Sequence, residues 1–335
     1  MEKVLSIIIP TYNMEKYLNK CLDSLLVSNM NLIEVLVIID GAKDKSSEIA
    51  HQYEDKYPDV FKVIDKENGN YGSCINRGLK EAKGRYVKVL DADDSFDAKN
   101  FEKYLDEIKD IDVDLILTDF FTVDDSGRKI NRYDFNLQPW VVCDFYNLFK
   151  AGKINYHITM HAVTYKLQNL IEMQYVQTEG ISYTDMEWCF TPMTKVKKGI
   201  YLNIALYNYL VGRPGQTMDI SVQKKQITQL IKMTLSLADR YNKEYDKDYH
   251  AYLNCIALVQ IRNVYKLILV DKYAEWDILD EYDELIKSKS IELYNELEDI
   301  KICRIKYIKL WRRYHNKFIQ RIVNAIFYLN SKIRG

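Results

Sequence analysis

Three acidic side chains stand together at Asp91-Ala92-Asp93-Asp94, where the apolar run Tyr86-Val87-Lys88-Val89-Leu90 ends. Carboxylates this close repel, and each raises the cost of ionising its neighbours. A divalent cation relieves the repulsion, and hard ions such as Mg²⁺ or Mn²⁺ take oxygen ligands. A strand that stops at such a cluster presents it at the rim of a sheet, open to solvent, where a bound cation would hold a phosphorylated ligand. The same residues also fit a polar turn with a helix cap, where Asp is common.

Three further clusters stand after apolar runs in the same way. Ser6-Ile7-Ile8-Ile9-Pro10-Thr11-Tyr12-Asn13 reads as a buried strand running into a turn, and Pro10, lacking an N–H, ends its ladder. Tyr12 then projects from the strand end, able to stack on a flat base or simply to pack. Asp40, after Ile38-Ile39, offers a carboxylate to a base imide or a ribose hydroxyl. Asn68-Gly69-Asn70-Tyr71-Gly72 is a turn before a helix, whose N-terminus favours anions. It is neither a Walker loop nor G-x-G-x-x-G.

The elements that carry these clusters are read from periodicity. Residues 4–9, 33–39, 60–64, 85–90 and 115–118 read as strands, and 15–27, 46–56, 71–82 and 98–108 as helices. Such alternation implies βαβ units and a largely parallel sheet. Ligands of such sheets bind outside the carboxyl ends of the strands, and all four clusters fall there. Asp125-Ser126-Gly127 reads as a hairpin, 135–152 as loop with a short helix, and 158–165 and 199–211 as further strands. Thr184-Asp185-Met186-Glu187 reads as a capping box opening a helix. From about 222 the pattern is helical to the end.

The chain has 335 residues, 47% hydrophobic, with a formal net charge of −1, so no global field favours nucleic acid. Six scattered cysteines (Cys21, Cys74, Cys143, Cys189, Cys255, Cys303) show no zinc or redox spacing and read as thiols in a reducing compartment. The N-terminus enters a strand at once, without a signal-peptide core. No run of about 18 uninterrupted apolar residues is present, which argues against a spanning helix. The expectation is a cytoplasmic protein. Charge divides sharply in the tail: 271–299 holds eleven Asp/Glu against three Lys, and 301–335 ten Lys/Arg and no acid. There Ile305, Ile308, Trp311, Phe318, Ile322 and Leu329 recur at near-helical spacing. That is a basic amphipathic helix, suited either to the inner surface of a membrane or to packing on protein.

Taken in order, IIIPTYN, VIIDGAKDKS, ENGNYGSCINRGL, AKGRYVKVLDADD and TDMEW resemble glycosyltransferase family 2, over about residues 1–215. The resemblance implies an α/β GT-A fold: a Rossmann-like mixed sheet with helices on both faces. It makes 1–215 the catalytic domain and leaves 216–335 as a C-terminal helical domain. It also implies an inverting, metal-dependent hexosyltransferase that moves a hexose or N-acetylhexosamine from a UDP-sugar to a hydroxyl of a glycan or lipid-linked glycan, in surface polysaccharide synthesis. Thr11 and Tyr12 would hold the nucleobase, with Pro10 and Asn13 beside them in the nucleotide-sugar site, Asp40 would bind uracil or ribose, and Asn68 through Gly72 would close the nucleotide pocket. Asp91 and Asp93 match the D-x-D pair that holds Mn²⁺ or Mg²⁺, and Arg213 would contact phosphate, with Gly212 and Gly215 flanking a lid. Asp185 would be the general base, kept ionised at a helix N-terminus. Glu179 and Glu187 are its rivals, with Glu187 engaged in the capping box, and Trp188 would line the acceptor site or pack. Two departures stand out: Ile39-Asp40 replaces the paired acids common in the family, and Gly41-Ala42-Lys43-Asp44 its small-polar run.

Two other functions compete. A sugar-phosphate nucleotidyltransferase would need a glycine-rich basic loop, and residues 4–13 contain neither glycine nor a basic residue. A catalytically inert sugar-nucleotide-binding or assembly protein would keep the sheet without turnover. The sequence leaves the sugar, the acceptor and any homo-oligomer open.

Overall fold

The structure is a computed structural model that describes residues 3–144, 158–213, 216, 220–241, 247–269, 276–302, 305–314, 321 and 325. The chain forms two compact units, Met1–Gln216 and Thr217–Gly335. The expectations for 145–152, Gly215, Cys303, Phe318, Ile322 and Leu329 lie outside the described residues.

In the first unit, β1 (Leu5–Thr11), β2 (Ile33–Asp40), β3 (Phe61–Lys66) and β4 (Tyr86–Val89) pair in parallel, in the order β3-β2-β1-β4. β1 and β2 are buried almost throughout, as continuous apolar runs in a parallel sheet should be. Three helices connect them: α1 (Leu18–Asp23), α2 (Ser46–Lys56) and α3 (Asn70–Glu81). Adjacent parallel strands end on the same rim. The ends at Thr11, Asp40, Lys66 and Val89 therefore bring the polar clusters side by side.

The sheet then turns mixed. β5 (Ser95–Phe96) and α4 (Ala98–Ile108) come after β4. Helix α4 buries Phe101, Tyr104, Leu105 and Ile108, an i, i+3, i+4, i+7 face. Asp97 caps it by accepting from the Asn100 N–H. The hairpin of β6 (Leu115–Val123) and β7 (Lys129–Tyr133) turns through Gly127 at φ +81°. β8 (Val142–Asp144) pairs antiparallel with β10 (Lys198–Leu210). A 3₁₀ turn at Met160–Ala162 leads into β9 (Val163–Lys166), antiparallel to both β4 and β6. β10 runs parallel to β6, giving the order β3-β2-β1-β4-β9-β6-β10-β5. The expected largely parallel sheet is thus interrupted by β9, which inserts between two parallel groups. Two short helices, α5 (Leu167–Glu172) and α6 (Asp185–Phe190), complete the unit.

The second unit is helical: α7 (Ile220–Lys225), α8 (Ile227–Tyr241), α9 (Lys247–Leu269), α10 (Trp276–Lys289), α11 (Ile291–Glu296) and α12 (Tyr307–Arg313). Tyr265 packs against Tyr282 and Trp311 in its core. Of the two readings of that stripe, Ile308 and Trp311 follow packing on protein, at 0% and 3% exposure. Arg312 is not solvated either, but pairs with Asp283 at 2.7 Å. Lys306 meets Asp299 and Lys309 meets Glu298. Among the described residues the two charge blocks of the tail thus pair with each other. Among the described residues no helix is long and apolar enough to cross a membrane.

Candidate active site

The first two strand ends lock together through their turns. Thr11 is buried and donates to the Ile9 carbonyl at 3.1 Å, while Tyr12 beyond it is 45% exposed. Pro10 is partly covered between them. Asn13 adopts a left-handed φ of 54°, and its Oδ1 accepts the Lys43 N–H at 2.8 Å. Asp40 is 3% exposed, and its Oδ1 accepts from Lys66 Nζ at 2.6 Å and from the Gly69 N–H at 2.9 Å. The Asn68 amide donates to the Asp40 carbonyl at 2.9 Å. Gly41, at φ +68°, has its absent Cβ 3.0 Å from the Asn68 nitrogen, so this turn requires glycine. Asp40 and Asn68 therefore brace the rim, with Asp40 Oδ1 bonded to a lysine.

Gly72 permits the closest approach in the site. A Cβ there would overlap the Thr178 carbonyl, so α3 seats directly on the 177–184 loop. The Gly180 N–H donates to the Gly69 carbonyl, and Ser182 Oγ to Asn70 Oδ1. Asn76 donates to the Gln177 carbonyl and to Glu179 Oε1, which commits that rival acid.

The acidic cluster is more enclosed than a rim open to solvent. β4 is an interior strand, and β10 supplies partners for the acids at its end. Asp94 is buried, accepting from Tyr207 Oη at 2.6 Å and the Leu210 N–H at 2.7 Å. Asp91 accepts from Tyr71 Oη at 2.9 Å, and its own N–H donates to Tyr207 Oη at 3.1 Å. Asp93 Oδ2 accepts from Arg213 Nε at 2.6 Å, so the arginine expected on phosphate sits on a carboxylate. Burial, then the charge of Asp93, pushes the Asp91 carboxyl up to about 7. Burial raises Asp94 too, with Asp93 and Asp91 adding to it.

His161 joins this cluster, and no local pattern in the sequence marked it. It lies in the 3₁₀ turn before β9, its ring between Phe120 (5.2 Å) and Tyr209 (4.3 Å). Ligand atoms of Asp91, Asp94 and His161 lie within 4.8 Å of one another. Burial, with Lys88 nearby, pushes the imidazole down to about 3, so it stays neutral, the form that binds metal. Oxygen and imidazole ligands together suit Mn²⁺ and tolerate Mg²⁺ poorly at the nitrogen. The expected Asp91–Asp93 pair is thus divided. Asp91 belongs to this group of three, and Asp93 is held by Arg213.

Asp185 opens α6, and its carboxyl accepts the backbone N–H groups of Met186 and of Asp185 itself. Burial outweighs these bonds and raises its pKa. That reverses the expectation that the helix end would keep it readily ionised: a six-residue helix has a weak dipole, and desolvation wins. Asp185 acts electrostatically on both Asp91 and Tyr71. Tyr209 feels Asp94, Asp91, Asp185 and Asp93, in that order after its own burial. The charges of the neighbouring Asp91, Asp93 and Asp94 and of the distant Asp185 thus bear on one tyrosine.

The capping box does not form as expected. The Thr184 side chain makes no cap bond but accepts from Gln177 Nε2 at 2.8 Å. Glu187, fully buried, accepts from the N–H and hydroxyl of Thr178 at 2.8 and 2.7 Å. Its carboxylate fastens the loop that leads to Asp185. Trp188 packs edge-on against Tyr165 and Tyr175 and is 1% exposed, which removes it from any acceptor surface.

Comparisons with known proteins bear on the family and the fold. Residues 6–170 match the model for glycosyl transferase family 2. The glycosyltransferase EpsJ of Bacillus subtilis, itself uncharacterised, is 35% identical over 121 residues, which are 36% of this chain and 35% of that one. The minor teichoic acid biosynthesis protein GgaB of Bacillus subtilis is 36% identical over 121 residues, 35% of this chain and 13% of that protein. The match to EpsJ thus spans about a third of that relative's length. Among solved structures, residues 1–349 of S. aureus TarS superpose with a TM-score of 0.67 at 18% identity, over 97% of this chain and 91% of that one. The same fragment is also known in complex with UDP-GlcNAc (TM-score 0.55, 18% identity, 93% and 92%). The mannosyltransferase PcManGT of Pyrobaculum calidifontis, in complex with GDP-Man and Mn²⁺, matches at a TM-score of 0.53 and 14% identity, over 98% and 88%. Across residues 6–170 this chain is a glycosyl transferase family 2 sequence, folded as GT-A glycosyltransferases are.

Proposed function

We propose that the chain is an inverting glycosyltransferase that moves a hexose or N-acetylhexosamine from a UDP-sugar to a hydroxyl of a glycan or lipid-linked glycan, in surface polysaccharide or teichoic-type polymer synthesis. The observation that carries the reading is that α3 joins the two acids' segments: it seats on the loop leading to Asp185 at Gly72 and bonds Asp91 through Tyr71 at 2.9 Å, and the charge of Asp185 bears on Asp91. Inverting transfer needs a base on the acceptor side and charge compensation on the leaving-group side, and here both stand in one site. The UDP-GlcNAc complex of the TarS fragment and the polymer role in GgaB's name support the donor class and the setting.

The residues divide the work. Tyr12, exposed at the rim, stacks on the base, and the braced turn of Asp40, Asn68 and Gly72 shapes the nucleotide pocket beside Pro10, Thr11 and Asn13. Asp91 and Asp94 with His161, joined by Asp93 where Arg213 releases it, would hold Mn²⁺ or Mg²⁺. Such an ion supplies charge neutralisation to the diphosphate as it leaves. Arg213 adds a permanent positive charge on the same side. Asp185 accepts the acceptor's hydroxyl proton. That oxygen bonds to the anomeric carbon from the face opposite the diphosphate, the glycosidic carbon–oxygen bond to phosphate breaks, and the configuration inverts. Residues 1–216 serve as the catalytic domain and the helical unit as an accessory one.

The test is turnover. Each UDP-sugar is incubated with the protein and Mn²⁺, and released UDP is measured for the wild type and Asp185→Asn. At least one donor should be cleaved by the wild type alone. Cleavage of none, under conditions where UDP binds, would favour an inert sugar-nucleotide-binding protein.

A further inference from the structure

We infer that Lys88 is a positioning residue: its buried amine fixes the backbone around His161 and so aims the imidazole at Asp91 and Asp94. The inference rests on the cation reading of that cluster.

Every side chain of β4 is buried, so the strand calls for apolar residues, yet its third position is a lysine with 0% exposure. Among the described residues no carboxylate pairs with it. Its Nζ donates instead to the carbonyls of His161 at 2.8 Å and Val163 at 3.1 Å. It also lies 5.8 Å from the ring centroid of Tyr207, whose hydroxyl bonds Asp94 and the Asp91 N–H. A buried amine without a counter-charge is costly, and a methionine would fill the space at less expense.

The register shows what the lysine does there. The β4–β9 ladder pairs Tyr86 with Lys166 and Val87 with Tyr165, and stops. The next cross-strand links, to Val163 and then His161, come from the Lys88 side chain. The lysine extends the pairing past the ladder's end, into the turn that carries His161. From the other side, the His161 ring stands edge-on to Tyr207 at 4.8 Å. Lys88 thus touches the backbone of one member of the cluster and the tyrosine that holds the other two. Groups that orient metal ligands in this way typically change metal affinity ~10–100-fold when removed.

The experiment uses the full chain with Mn²⁺ and UDP as probes. Binding is measured by calorimetry, thermal stability by melting, and nitrogen coupling to Mn²⁺ by electron spin-echo modulation. The wild type should show imidazole nitrogen coupling that disappears in His161→Ala. Lys88→Met should melt at the wild-type temperature or above, bind Mn²⁺ in the presence of UDP about tenfold more weakly, and lose that coupling. Lys88→Met in a His161→Ala background should add nothing further, because the lysine acts through the imidazole. Wild-type coupling and affinity in Lys88→Met would overturn the inference and leave the cation reading standing. Mn²⁺ binding by the wild type with no nitrogen coupling would do the same. No Mn²⁺ binding by the wild type would sink both. Should Lys88→Met fail to fold, Lys88→Gln is read the same way, and if neither folds, the lysine serves the fold alone and the inference falls.

Discussion

Arg213 Nε lies 2.6 Å from Asp93 Oδ2, with both side chains largely covered. A guanidinium from the segment after β10 thus neutralises a carboxylate that, by the proposed mechanism, serves a cation. Arginine and cation compete for one acid, and a diphosphate would offer the arginine an alternative partner.

Removing the guanidinium should therefore move two affinities in opposite directions. In Arg213→Ala, Mn²⁺ should bind severalfold more tightly without nucleotide. UDP at saturating Mn²⁺ should bind about tenfold more weakly, the order of one charge-assisted hydrogen bond. Calorimetric titration of each ligand separates these outcomes, and a parallel loss of both would show that Arg213 serves only the fold.

Asp185→Asn should keep UDP affinity within about twofold and lower kcat by roughly 10²–10⁴, the usual contribution of a general base. Because burial raises the Asp185 pKa, the base loses its proton later than an ordinary aspartate. Wild-type kcat should climb with pH through that raised value, and the residual rate of the variant should lack that limb. A pH–rate profile for the two proteins decides it.

The contribution of Asp91 and Asp94 to stability without metal should fall as pH rises. Asp91 is pushed up to about 7 and Asp94 is raised as well, so between about pH 4 and 7 the folded chain holds protons the unfolded chain has released. Stability present at the acid end of that window is lost toward neutrality, as the buried acids must ionise beside one another. His161, held down to about 3, works the other way over the same window, so the measurement is the difference from Asp91→Asn in a chelating buffer. From pH 4 to 7 the wild type should lose melting temperature relative to that variant, and Mn²⁺ should restore more of it at pH 7.5 than at pH 5.

Gly72→Ala tests the contact between α3 and the 177–184 loop. The added methyl meets the backbone carbonyl of Thr178, which cannot rotate away as a side chain would. The cost should be about 1–3 kcal/mol, seen in denaturant unfolding, with weaker UDP binding because the turn through Asn68 must shift. Unchanged stability would mean that the loop yields freely.

Much of the rim of parallel strand ends was legible in the sequence. Buried parallel strands carry long apolar runs, so their ends, and the acids at those ends, could be read directly from Ile39-Asp40 and Leu90-Asp91. His161, Tyr207 and Tyr209 were not legible. They come from β10 and from a 3₁₀ turn, about 70 to 120 residues beyond the acids they touch, and locally they are only aromatic residues among others. β9 is four residues long, and nothing in 163–166 announces that it inserts antiparallel beside β4. Asp185 was found as a residue but misjudged as an acid, since periodicity shows a helix end and not the burial that outweighs it. In the tail, the acidic and basic blocks are visible as composition. Their pairing through Asp283 and Arg312 is visible only in the fold.

The most direct test is a titration of UDP into the wild type and Asp91→Ala, each with Mn²⁺ and with chelator. Mn²⁺ should tighten wild-type binding by about tenfold or more, and Asp91→Ala should abolish the difference. Equal UDP affinity with and without Mn²⁺ in the wild type would contradict a diphosphate held through a cation at Asp91.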